Sequence, residues 1–325
     1  MARVVVDAMG GDHAPLEIVR GAIDAATNGV EVILVGDRSQ IVPVLERFDT
    51  DLPIVDASEV VEMGEDPARA VREKKDASIM VAARLVKDGN AQAMFSAGST
   101  GAALAASAFV IGRLPGVSRP AIASIFPTRE IVLDVGANLE VGPEQLTQFG
   151  VMGYAVAKVF LELDDPRVGL VNIGEEAGKG RELEQVAHGL LEQVDGLNFI
   201  GNVEGRDLGQ DRADVFVTDG YTGNVLLKTG EGTSRALFRV LMEALQADEY
   251  QSALAELLPA FMRLRQQIDP ETMGGAHLVG TKGVVVIGHG ASSHRAAANA
   301  ITMAAEGAGH GLVDLVAEGI GHTAK

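Results

Sequence analysis

The stretch AIASIFPTREIVLDVG, residues 121–136, decides between the two architectures open to this chain. It reads as two strands, Ala121–Phe126 and Ile131–Asp134, joined by a short polar turn. A connection that short makes an antiparallel hairpin, because a parallel crossover needs a dozen residues or more. An eight-fold βα barrel has no place for it. Elsewhere one unit recurs: an apolar run, a glycine-bearing loop, then a helix-period segment. RVVVDAMGGD precedes PLEIVRGAIDAATN, AQAMFSAGSTG precedes AALAASAFVIG, and RVGLVNIGEE precedes GRELEQVAHGLLEQV. VEVILVGD before RSQIVPVLERF, ADVFVTDGYTGN before VLLKTGEGTSRALFRVLMEAL, and GVVVIGHGASS before HRAAANAITMAAEGA repeat it. That rhythm argues for parallel βα units, so the fold expected is α/β with a mixed, mostly parallel sheet and helices on both faces.

Composition agrees. Apolar residues make up 47% of the 325 and aromatics only 4%, a core of Ala, Val, Leu and Ile suited to helices on a Val/Ile sheet. No linker-like tract appears, so residues 1–325 read as one unit. The one change of texture is Ser234–Pro270, a strandless helical stretch that reads as a protrusion broken at Pro259. The absence of cysteine excludes disulfides, thiolate metal sites and a cysteine nucleophile. With no signal-peptide pattern and no run of ~18 apolar residues, the expectation is a soluble, cytoplasmic protein. A net charge of -18 argues against nucleic acid, and an acidic protein partner would need a local basic patch.

The glycine-rich loops carry the candidate chemistry. VDAMGGDHAP holds Asp7, Gly10, Gly11, Asp12 and His13, more than a turn requires. FSAGSTGA offers Ser96, Gly98, Ser99, Thr100 and Gly101 where a helix begins, which reads either as an anion-binding terminus or as ordinary N-capping. NIGEEAGKG fails the nucleotide P-loop pattern, being one residue short between Gly174 and Gly178, with Gly180 where Ser or Thr would bind magnesium. Lys179 between two glycines reads as a surface residue or as a cation steered toward an anion. VTDGYTGNVLLKT places Asp219, Thr222, Gly223 and Asn224 at a strand end, where Asn224 caps the helix or presents its amide to a developing oxyanion. LDVGAN, with Asn138, and GHGASSH, with His289, repeat the type. No dinucleotide fingerprint, metal-spaced histidine pair or G-x-S-x-G elbow is present, so no cofactor and no metal are expected.

Taken together, VDAMGGDHAP, SAGSTGA, LDVGANLEVGPEQLTQFGVMG, NIGEEAGKG, NFIGNVEGRD, VTDGYTGNVLLKT and GGAHLVGTKG…HGASS resemble the phosphate:acyl-carrier-protein acyltransferase family, in order from residue 4 to about residue 300. The resemblance implies a three-layer α/β/α sandwich like that of isopropylmalate dehydrogenase, assembled as a homodimer. It implies attack of inorganic phosphate on an acyl-ACP thioester, giving acyl phosphate and free ACP for phospholipid synthesis. It also implies handover to a membrane glycerol-3-phosphate acyltransferase. Under it Lys179 neutralises phosphate or thiolate, Asn224 holds the oxyanion, and His13 orients phosphate or moves a proton. The remaining loop residues, from Asp7 to His289, would hold phosphate and thioester together. Two positions depart from the family pattern: Ser99 replaces the usual Asn, and His277 interrupts an apolar run.

Rival readings are a short-chain CoA-dependent phosphate acyltransferase, a nicotinamide-dependent dehydrogenase of similar fold, and a non-catalytic acyl-carrier scaffold. In ALAELLPAFMRLRQQ, Leu254, Leu257, Leu258, Phe261 and Met262 fall at near-helical spacing beside Arg263 and Arg265. This surface reads as packing against a second subunit, or as contact with an anionic membrane or acidic ACP.

Overall fold

The computed structural model describes residues 2–323. Among them lie eleven strands in one sheet. The first six are β1 (Arg3–Asp7), β2 (Glu31–Gly36), β3 (Ile54–Asp56), β4 (Ala93–Ser96), β5 (Ala121–Ile125) and β6 (Ile131–Leu133). There follow β7 (Val168–Val171), β8 (Phe199–Val203), β9 (Val215–Val217), β10 (Ala276–Val279) and β11 (Val284–Ile287). The helices begin with α1 (Leu16–Thr27), α2 (Arg38–Arg47), α3 (Pro67–Glu73), α4 (Ser78–Lys87), α5 (Thr100–Ala106) and α6 (Pro143–Phe160). They continue with α7 (Glu182–Leu191), α8 (Gly220–Ala244), α9 (Gln251–Ile268), α10 (Pro270–Met273), α11 (His294–Gly309) and α12 (Leu312–Thr323).

The hairpin read from residues 121–136 is present: β5 and β6 pair antiparallel, with Ala123 opposite Leu133 and Ile125 opposite Ile131. Across the sheet the order is β3-β2-β1-β4-β11-β10-β5-β6-β9-β7-β8. Both faces are covered, which is why β1 reads as an unbroken valine run rather than an alternation. Val4 and Val6 belong to one core layer with Ile18 of α1, Phe149 of α6 and Ile301 of α11. Val5 belongs to the other, with Val71 of α3, Ile79 of α4 and Ala102 of α5. The architecture is therefore the three-layer sandwich.

Strand direction matters more than strand count. β2, β1, β4 and β11 run parallel, as do β6, β9, β7 and β8. Between these sets come three antiparallel steps in succession, β11–β10, β10–β5 and β5–β6. An odd number of reversals leaves the second set pointing opposite to the first.

Helices α8 and α9 carry little of the core. In α8 only Gly220 and Gly223 are buried, and α9 has no buried residue. The break expected at Pro259 does not occur, because α9 continues through it from Gln251 to Ile268. The missing N–H frees one carbonyl a turn earlier, and on an exposed helix water satisfies it.

His277 sits on β10 with its ring against Phe160, centroids 4.3 Å apart. It is 1% exposed, and neither ring nitrogen has a hydrogen-bond partner. Burial alone pushes its pKa down to about 3, so the native state holds it neutral. Above the ordinary histidine value both folded and unfolded forms are neutral and its stability contribution is complete. As pH falls from there toward 3, only the unfolded chain takes the proton. Stability should therefore drop by about 1.4 kcal/mol per pH unit from this group. Urea unfolding of His277→Leu should show a slope between pH 6.5 and 4.5 shallower by about that amount. Parallel slopes for the two proteins would mean that the ring is protonated in the folded state.

Candidate active site

The loops singled out in the sequence form two groups, not one. The first gathers at the C-terminal ends of β1, β4 and β11. Asp7 is buried there, its Oδ2 accepting from Ser96 Oγ at 2.7 Å and its Oδ1 from the Met9 N–H at 3.3 Å. Ser96 Oγ in turn accepts from the Gly98 N–H at 3.1 Å. A Cβ on Gly10 would lie 2.7 Å from Asp7 Oδ2 and 2.8 Å from the Gly98 nitrogen, so only glycine lets these two loops close on each other. Burial raises the Asp7 carboxyl above its ordinary value, against hydrogen bonds from Ser78 and Ser96. Asp7 thus braces the anion-type loop from behind. Ser99 caps α5 through the Ala102 N–H at 3.4 Å, which puts Thr100 and Gly101 in the first helical turn. The Asp12 N–H donates to the Gly290 carbonyl at 2.7 Å, binding the first loop to the His289 loop. Both His13 and His289 are exposed.

The second group lies at the C-terminal ends of β6, β7 and β9. Its foundation is Asp134, fully buried. Oδ1 accepts from the N–H groups of Ile122, Gly136 and Ala137 at 3.0–3.1 Å. Oδ2 accepts from the backbone N–H and side-chain amide of Asn138 at 2.7 and 2.9 Å. The Asn138 carbonyl then accepts from the Gly220 N–H at 2.8 Å. A Cβ on Gly223 would fall 1.9 Å from the Asp134 carbonyl oxygen, so α8 can start this close only with glycine there.

Asp219 caps α8, accepting from the Thr222 N–H at 2.7 Å and the Thr222 hydroxyl at 3.0 Å. Asn224 is therefore not the cap. The helix begins at Gly220, five residues before the Val225 start expected from sequence, because Asp219 supplies the capping oxygen. Asn224 is exposed on the second turn, and its amide donates one hydrogen to the Val135 carbonyl at 3.1 Å. An amide carries two such hydrogens, leaving one for a ligand.

Lys179 lies in the loop after β7, 49% exposed in its side chain and 3.9 Å from Glu176. Asn172 donates to the Lys179 carbonyl at 3.1 Å, and Gln185 donates to the Gly178 and Gly180 carbonyls, which shape the loop. Arg181 closes it. Its guanidinium pairs with Glu184 and reaches Asp219 Oδ2 at 3.1 Å. The Glu184 carboxylate, above all, and Asp219 push the Arg181 pKa upward. Around this group stand exposed apolar side chains: Leu139, Ile173, Tyr221 and Val225.

The sequence reading had these loops hold phosphate and thioester together. Strand reversal divides them into two groups within a single chain. β4 and β6 stand four strand spacings apart, about 19 Å, and their C-terminal ends point opposite ways. Asp7, Gly10, Gly11, His13, Ser96–Gly101 and His289 thus stand apart from Asn138, Lys179 and Asp219–Asn224. One small anion cannot touch both groups of the same chain. Arg181 and Glu184 were not among the expected site residues. Their RELE spacing, a helix-start pattern, is the sequence signal that could have found them.

The family model described as fatty acid synthesis protein matches residues 2–314. The chain belongs to this family. It is an acyltransferase. A phosphate acyltransferase of Heliobacterium modesticaldum is 48% identical, over 98% of this chain and 97% of its own. One from Nostoc punctiforme is 47% identical, over 94% and 92% respectively. Among solved structures, the EutD phosphotransacetylase from Staphylococcus aureus is similar in fold, with a TM-score of 0.59 and 17% identity. That match covers 94% of each chain. A branched-chain phosphotransacylase from Enterococcus faecalis V583 gives 0.56 at 16% identity, covering 95% of this chain and 99% of its own. This chain thus shares its sandwich with proteins of very different sequence.

Proposed function

We propose that this family member transfers the acyl group of an acyl-ACP thioester to inorganic phosphate, supplying acyl phosphate for phospholipid synthesis. The observation that carries the reading is the second loop group: Lys179, a free Asn224 amide hydrogen and an apolar rim on neighbouring loops. A phosphate oxygen attacks the thioester carbonyl, forming the C–O bond while the C–S bond breaks. Asn224 donates to the carbonyl oxygen as it becomes negative, and Lys179 stabilises charge on phosphate or on the leaving thiolate. The released thiolate takes a proton to give free carrier. Leu139, Ile173, Tyr221 and Val225 suit an acyl chain held beside that polar centre, and they help keep water from the acyl phosphate. Binding of the carrier's long arm fits a protein whose other polar loops stand well away from the reacting carbonyl.

Purified protein incubated with long-chain acyl-ACP and radiolabelled phosphate should form labelled acyl phosphate. The rate should be unchanged by chelator, since among the described residues no group of three His, Asp or Glu side chains could hold a metal ion. It should need no nicotinamide, since the sequence carries no dinucleotide fingerprint. Activity with acyl-CoA alone would favour the CoA-dependent rival. Tight acyl-ACP binding without product would favour the scaffold, and loss of activity on chelation, restored by a divalent ion, would overturn the metal-free chemistry.

A homodimer that works at the cytoplasmic membrane surface, passing product to a glycerol-3-phosphate acyltransferase there, fits the α8–α9 arm. Among the described residues no helix is long and apolar enough to cross a membrane. In α9, Leu257, Leu258 and Met262 are exposed, Leu254 and Phe261 half-buried, and Arg263 and Arg265 lie exposed beside them. That pattern supports surface attachment to anionic lipid. Wild-type protein should co-sediment with anionic liposomes, and Leu258→Glu or Phe261→Glu should leave it in the supernatant with soluble turnover kept. Variants that fall apart into monomers would instead assign these side chains to subunit packing.

A further inference from the structure

We propose that Arg181 is a positioning residue, fixing Lys179 relative to Asn224. This rests on the reading that those two side chains carry the chemistry. They sit on different elements, one in the loop after β7 and one on α8, and precise electrostatic catalysis needs their separation held to a fraction of an ångström. The Lys179 loop has little stiffness of its own, with glycine on either side of the lysine. Its internal ties, from Asn172 and Gln185, shape the loop but do not reach α8. Among the described residues, the hydrogen bond and ion pair joining the Lys179 loop to the start of α8 is Arg181 to Asp219, at 3.1 Å.

The geometry at both ends suits a strut. On one side Glu184 accepts from the Arg181 backbone N–H at 2.7 Å and from its guanidinium, clamping the side chain onto the first turn of α7. Burial works against the Glu184 charge, yet Arg181 holds its pKa below the ordinary value. On the other side Asp219 is rigid, since its carboxylate also caps α8 through Thr222. A planar fork can bridge two carboxylates in fixed directions, which a lysine ammonium cannot do with the same precision. Because Thr222 still satisfies Asp219 without Arg181, removing the strut leaves the helix start capped. The guanidinium is largely exposed, but its partners Glu184 and Asp219 are buried, so its loss also lowers stability.

The test measures steady-state rates for Arg181→Ala, Arg181→Lys and the double variant Lys179→Ala/Arg181→Ala. Arg181→Ala should lower kcat about tenfold to a hundredfold, measured below its reduced melting temperature, with KM for phosphate nearly unchanged. Arg181→Lys should recover part of the loss. Against the Lys179→Ala background, Arg181→Ala should cost less than threefold more, because there is no lysine left to place. A full further loss in that background would make Arg181 a direct participant, and unchanged kcat in the single variant would remove its role altogether. Should Lys179→Ala itself keep wild-type turnover, the site reading fails and the positioning role falls with it, since there is then no catalytic lysine to place. Low activity in Lys179→Ala with unchanged kcat in Arg181→Ala overturns the positioning role alone.

Discussion

Replacing Asp134 with alanine should unfold the protein at ordinary temperature or leave it inactive. Five donors converge on this one carboxylate, which is completely shut off from solvent. Four are backbone N–H groups that no side-chain change can remove. Leaving a buried donor unsatisfied costs roughly 1–3 kcal/mol, and bonds to a charged acceptor are among the stronger ones. Even if entering water rescues some of them, the loss should reach about 4 kcal/mol, a large share of a typical total stability. Asp134→Asn should do nearly as badly, because its NH₂ group would face N–H groups. Any folded fraction should turn over poorly, since the Asn138 carbonyl that receives Gly220 would lose its anchor. Urea unfolding checks this directly. A midpoint close to wild type for Asp134→Ala would show that the five bonds are individually dispensable.

Lys179→Ala and Asn224→Ala should each lower kcat by ~10²–10³ while the fold survives. Lys179 is half exposed and Asn224 exposed, so neither truncation opens a cavity. Asn224→Ala gives up one hydrogen bond, to the Val135 carbonyl at 3.1 Å, worth about 1 kcal/mol at most to stability. A catalytic deficit far larger than that must come from the reacting centre. Circular dichroism should match wild type while single-turnover acyl phosphate formation slows. Rates within threefold of wild type for both variants would move the chemistry away from this loop group.

Local chemistry in this chain was legible because it is written locally. The 121–136 hairpin, the glycine-bearing strand ends and the two-sided burial of β1 all follow from short-range patterns. What escaped was the pairing of distant segments. Nothing in the residues of β10 and β11 announces that they insert between β4 and β5, and that insertion is what fixes the three successive reversals. Without it, every strand end looked like part of one site. Arg181 escaped for a related reason: its partner Asp219 is 38 residues away. Pro259 misled in the opposite sense: a helix interior tolerates the loss of one hydrogen bond, and α9 runs on through it.

The placement of β11 also bears on how the chain is made. β11 fills the middle of the sheet, α11 packs along α1, and α12 lies on α6. A nascent chain that has emerged only to residue 270 holds β4 and β5 with bare edges and two half-sheets without their common seam. Neither half can close its own core, so productive folding waits for the stretch from β10 to α12, several seconds of synthesis at about 5–20 residues per second. During that interval the open edges invite pairing with other chains, and chaperone capture is the natural safeguard. Translation stalled upstream of β10 would therefore yield an aggregation-prone intermediate rather than a working half.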